Sequence, residues 1–252
     1  MMKTVGMLFL LGLVVAPCQA QTAPLQQPFR PGESLIYQAR IGSIARGSGE
    51  MRVEGPVAIR GRDTYLLRFD FRGGAGPIRM EGRTSSWLDP ETMTAMRFHK
   101  HERSPLGTNA ETFNLFAAQG IWRSDRGTEG SMPSRLPLDE LSFLYYIRTL
   151  PLKAGATYRM DRHFDASRNP VEIRVVGREW VRVPAGEFAT IVVEMKVPQD
   201  GHVSGNGVIR LYLTDDAWRV PVRIESSVRV LGRVVFQLES SNRHSAAGVA
   251  LR

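Results

Sequence analysis

The chain has 252 residues, 42% of them hydrophobic, with a single cysteine and 33 Lys and Arg against 25 Asp and Glu, a formal net charge of +8. That apolar content excludes a disordered polypeptide, and one cysteine excludes a disulfide framework. Only four of the cations are lysine, so the positive charge is almost wholly arginine, the cation whose planar fork suits phosphate and carboxylate.

Met1, Met2 and Lys3 followed by the apolar run 5–16 and Pro17-Cys18-Gln19-Ala20 have the order of an export signal: basic, apolar and too short to span a bilayer, then small residues before a cut. Cleavage is expected after Ala20, leaving a mature protein in the periplasm. The alternative is a lipoprotein ending its signal at Cys18, against which Pro17 stands where a small residue is wanted. Cleavage after Ala20 removes Cys18 and Lys3 and lowers the formal charge to +7.

Residues 21–28 read as a disordered lead-in, 29–241 as one β-rich domain and 242–252 as a flexible tail. Leu35, Tyr37, Ala39 and Ile41 alternate with Ile36, Gln38 and Arg40, a period of two that marks a strand with one apolar face. Gly42 and Gly47-Ser48-Gly49 read as turn punctuation before a return strand at Glu50. Tyr65, Leu67, Phe69 and Phe71 line the next strand, with Arg68, Asp70 and Arg72 facing away, and 73–77 reads as a glycine loop. Strands follow at 79–88, 95–103, 111–116 and 121–123, then a polar surface loop over 125–134.

Residues 139–150 are predicted to form the one helix. Asp139 is placed to cap its first-turn amides, and Pro137 and Pro151 bracket it. Its apolar residues cover nearly the whole circumference, so the sheet must enclose it on most sides. Strands return at 157–164, 171–176, 180–183, 189–197, 208–214, 220–230 and 234–240. The fold class expected is therefore all-β dominated, a large antiparallel, open or incompletely closed β-barrel with one central helix.

Three stretches carry a family likeness: Phe29-Arg30-Pro31-Gly32-Glu33-Ser34-Leu35-Ile36-Tyr37, residues 139–155, and Leu211-Tyr212-Leu213-Thr214-Asp215-Asp216-Ala217-Trp218-Arg219-Val220-Pro221-Val222. With the Val183-Pro184-Ala185-Gly186-Glu187-Phe188 turn, they make the chain resemble the bacterial domain of unknown function 3108 family. The resemblance implies an exported, β-rich envelope protein and supplies no catalytic residues.

Candidate sites follow from side-chain chemistry. Tyr145, Tyr146 and Arg148 put polar groups on an otherwise apolar helix, where they either meet a ligand or satisfy buried backbone and carboxylates. Asp161, His163 and Asp165 alternate, so in a strand they would share a face able to hold a divalent cation; the plainer reading is a solvated strand end. His99 and His101 flank Lys100, whose charge opposes a cation, and are expected on an exposed edge strand. Asp215 and Asp216 point apart in extended chain and suit turn capping better than catalysis. No Gly-x-Ser-x-Gly elbow occurs.

The function expected is a non-catalytic cell-envelope protein binding an amphipathic or anionic component. Lipid, lipopolysaccharide, glycan and an envelope protein are the candidate partners; nucleic acid and cofactors are not expected. The alternatives are a cell-wall hydrolase or metal-dependent enzyme, and a scaffold with no small ligand.

Overall fold

The computed structural model describes residues 27–42, 45–75, 77–105, 107–198, 207–228 and 232–243. The expected signal, its cleavage site and most of the lead-in lie outside the described residues, as does the tail from 244.

In chain order the strands are β1 Ser34–Ile41, β2 Ala45–Ile59, β3 Arg62–Ala75, β4 Ile78–Asp89, β5 Thr94–Ser104, β6 Gly107–Phe116, β7 Ile121–Ser124 and β8 Glu129–Ser131. The helix α1, Glu140–Ile147, follows, and then β9 Thr157–Met160, β10 Val171–Val183, β11 Gly186–Lys196, β12 Val208–Thr214, β13 Pro221–Val228 and β14 Gly232–Ser241. They form one 14-stranded sheet in the order β8-β7-β6-β5-β4-β3-β2-β1-β14-β13-β12-β11-β10-β9. Every neighbouring pair is antiparallel.

That order is a meander closed through the chain ends, because β1 pairs with β14. The break falls in mid-sequence: β8 and β9 are the two edges, and the segment joining them carries α1. The barrel is thus open along one seam, and the lead-in to the helix occupies it. Leu138 bridges His163 in parallel, its amide donating to Arg162 at 2.6 Å and its carbonyl accepting from Phe164 at 2.9 Å. The Pro137 carbonyl accepts from Ala95 of β5 at 2.8 Å. Covering an edge in this way removes a template for unwanted strand pairing.

The inner face carries the core. Tyr37, Leu35, Met51, Leu67, Val193, Leu211 and Leu238 are buried there and pack with Leu141, Phe143, Tyr145 and Ile147 of the helix. A smaller cluster of Ala95, Phe98, Leu115, Met132 and Phe164 lies under the seam. Ile41, Ala45, Ala75, Ile78, Ser104, Gly107, Lys196, Val208 and Gly232 end or begin their strands at one end of the sheet, the mouth. At the other end the β10–β11 turn reaches across, Ala185 donating to the Leu238 carbonyl of β14 at 2.9 Å.

Several expected boundaries move for identifiable reasons. Gly47-Ser48-Gly49 is interior to β2, not a turn: a Cβ on Gly49 would stand 3.1 Å from the Phe69 ring and 3.2 Å from Phe236. These glycines make room for aromatic rings across the barrel. Gly73 and Gly74 likewise extend β3, since a Cβ at Gly73 would meet the Phe71 ring at 2.7 Å. The loop over 125–134 contains β8, and 171–183 is one strand bulged between Val175 and Gly177. Pro28 is buried, and Asn242 accepts from the Ser34 amide at 3.0 Å. No helix among the described residues is long and apolar enough to cross a membrane, which says nothing of strands.

Candidate functional site

The helix has two functional ends. At its start Asp139 accepts from the amides of Leu141 and Ser142, both at 2.9 Å, while the Ser142 hydroxyl accepts from the Asp139 amide at 2.8 Å. This reciprocal cap satisfies first-turn donors that the helix itself cannot. Ser86 of β4 donates to the other Asp139 oxygen at 2.6 Å. Burial pushes the Asp139 carboxyl up to about 7, against the pull of these hydrogen bonds.

At its end Arg148 is 1% exposed and grips Glu33, itself 0% exposed, at 2.7 and 2.9 Å. The remaining donor capacity goes to the Pro28 carbonyl at 2.7 Å and the Trp218 carbonyl at 3.0 and 3.3 Å. Arg219 donates back to the carbonyls of Arg148 and Leu150. A two-pronged pair with its spare donors used is the geometry that makes a buried charge tolerable. Arg148 is therefore occupied by the fold, and the three stretches that carry the family likeness meet around it.

Tyr145 packs edge-on against Phe29, ring centroids 5.0 Å apart, and burial drives its phenol well above the ordinary range. Its hydroxyl is buried without a hydrogen-bond partner among the described residues. Tyr146 lies under the Arg162 guanidinium, 4.5 Å from its ring. The Arg148 guanidinium lies over the Tyr145 ring at 5.4 Å, so these two candidates meet at the buried pair, while Tyr146 lies apart from them.

A different helix residue faces open space. Leu144 lines a cavity of about 300 Å³ at the mouth, walled by Met51, Phe69, Phe71, Ile224 and Phe236. Phe236 stands edge-on to Phe69 at 5.2 Å and Phe71 at 5.7 Å, a packing that holds rings in fixed orientation. Thr84, Glu102 and Ser226 supply the polar part of the lining. Size and apolar walls match the small end of ligand pockets. The alternation of β3 places Phe69 and Phe71 inward, but Leu144 could not be told from its buried helix neighbours by pattern.

The expected solvated face of Asp161, His163 and Asp165 is not formed. β9 stops at Met160, and His163 is 1% exposed, stacked 5.1 Å from Phe164 and 6.2 Å from Phe143. Its Nδ1 accepts from the Asp165 amide at 3.1 Å, and its Nε2 lies 3.9 Å from Glu140. Burial lowers its pKa, which favours the neutral ring. Asp165 instead caps a short turn through Ser167 at 2.9 Å. The seam explains the miss: the parallel bridge to Leu138 is a contact no local alternation announces.

Among the described residues no three His, Cys, Asp or Glu side chains gather to hold a metal. His99 and His101 are on β5, which lies between β4 and β6 and not at an edge; His99 Nδ1 sits 3.0 Å from the Thr112 hydroxyl. Asp216 accepts from the amides of Trp218 and Arg219, both at 2.9 Å, and Asp215 pairs with Arg178 at 2.6 Å. The pair is a turn device.

Comparison with known proteins agrees with this architecture. Among solved structures, the beta-barrel-like protein of domain of unknown function DUF1849 from Brucella abortus superposes with a TM-score of 0.55 at 10% identity, covering 83% of this chain and 96% of that one. A protein with a YmcC-like fold from Bacteroides fragilis covers 85% of this chain and 97% of its own at 16% identity, with a TM-score of 0.32. No curated protein matches. The first likeness shows the open-barrel fold alone. The family described as "Protein of unknown function (DUF3108)" matches residues 36–239, and the chain belongs to it.

Proposed function

We propose that the protein is an exported, non-catalytic component of the cell envelope that binds an amphipathic molecule in the cavity at the mouth of its open barrel. The observation that carries this reading is the cavity of about 300 Å³ between Leu144 and the Phe69, Phe71 and Phe236 rings. An apolar chain replaces water against those walls and gains the contacts that the opposing side chains leave unmade. Among the envelope ligands, a lipid-like chain fits such walls better than a glycan, whose hydroxyls need partners that this lining largely lacks.

Native mass spectrometry of protein purified from its own envelope tests the reading. A lipid-sized adduct is expected on the parent protein and should be absent from Leu144→Trp, whose larger ring fills the cavity. Bare protein in both samples, with the fold intact, would remove the proposal.

A further inference from the structure

We infer that the rim beside the cavity is a docking face for an anionic lipid bilayer; the inference extends the ligand-binding reading and is testable apart from it. Arg40 of β1 stands directly opposite Arg46 of β2, and the row continues through Gly74 to Arg79 of β4. The next row sets Arg72 and Arg103 on either side of Glu81. All five arginines are exposed. Arg40 alternates with buried Ala39 and Ile41, which places its row on the outer face. Among the described residues none of the five lies within ion-pair distance of a carboxylate.

The other half of the sheet solves the same problem differently. There Glu194 takes Arg210 at 3.0 Å and Arg174 at 3.7 Å, and Glu225 takes Arg223 at 2.5 Å and Arg233 at 2.8 Å. Like charges directly opposite across strands are destabilising, so the row from Arg40 through Arg46 to Arg79, which contains no carboxylate, costs stability unless an external anion neutralises it. The occupant must also tolerate Ile78, 52% exposed at the start of β4 immediately before Arg79. An apolar lip with arginines behind it, beside an apolar cavity, suits a bilayer surface: the lip enters the headgroup layer and the guanidiniums meet lipid phosphates. A soluble polyanion would use the arginines but has no use for Ile78.

Sedimentation with vesicles tests this. The purified protein should bind vesicles of phosphatidylcholine and phosphatidylglycerol mixed at about 3:1, should bind phosphatidylcholine alone far less, and should be released by salt. Arg40→Gln/Arg46→Gln/Arg79→Gln should weaken binding on the order of 100-fold, at about fivefold per charge. The control Arg174→Gln/Arg178→Gln/Arg182→Gln removes equal charge from β10 and should change binding less than about fivefold. Ile78→Ser should weaken the binding that survives at high salt. Equal losses in both triple variants, equal binding to neutral vesicles, or binding to heparin but not to vesicles would overturn the docking face. A lipid adduct in protein that ignores vesicles overturns docking alone, whereas vesicle binding by protein with an empty cavity supports docking and counts against the ligand reading.

Discussion

At the sealed end of the barrel every side-chain nitrogen of Arg148 has a partner, while one turn earlier on the same helix Leu144 faces a cavity of about 300 Å³. The sealed end gathers Pro28, Glu33, Arg148 and Trp218 from segments far apart in the chain, and their mutual satisfaction leaves nothing for a guest. The mouth gathers rings whose contacts on one side are unmade. One short helix thus carries a rivet at its C-terminal end and, one turn earlier, a cavity wall, and stability and binding should separate along it.

Removing one partner of the buried pair sharpens the contrast most. Glu33→Ala should cost about 3–5 kcal/mol in a denaturant melt, because it strands a buried guanidinium. A loss below about 1 kcal/mol would mean that water reaches Arg148 and that the end is not sealed.

The cap gives the next effect, through pH. Burial raises the Asp139 carboxyl to about 7 in the fold, above its ordinary 3.8. A raised folded pKa means the proton is held more tightly in the fold. The associated stability is therefore complete below about pH 4 and lost as pH rises through about 7. Its upper bound is about 4 kcal/mol, at about 1.4 per unit. His163, whose pKa burial lowers, adds the opposite slope below its ordinary value, so the comparison must be made with Asp139→Asn at each pH. That variant should lose stability less steeply than the parent between about pH 5 and 8; parallel curves would show that Asp139 is charged throughout.

Tyr145→Phe is the smallest change. It deletes a buried hydroxyl that has no partner among the described residues, so stability should hold or rise by about 1 kcal/mol. A loss above about 2 kcal/mol would reveal a partner for that hydroxyl.

What could be read from the sequence was local. Asp139 as cap, the helix after it and the alternation of β3 all depend on neighbours within a few residues, and each stands in the structure. Arg148 could be singled out as a cation on an apolar helix, but its partner Glu33 is 115 residues away and reaches it only because β1 closes on β14. His163 was unreadable for a related reason, since its burial depends on a single bridge to Leu138 across the seam. Gly47 and Gly49 misled because glycine marks turns and close packing alike, and only the rings of Phe69, Phe71 and Phe236 decide between them.

The helix has one face packed and one face open, and paired melts of Ile147→Ala and Leu144→Ala measure that directly. Ile147 is 0% exposed within the core, and its truncation should cost about 2–5 kcal/mol. Leu144 borders the cavity, and its truncation should cost about 1 kcal/mol or less while changing ligand retention. Equal losses above about 2 kcal/mol in both, with no ligand retained by either, would contradict an open Leu144 face and leave a closed scaffold in its place.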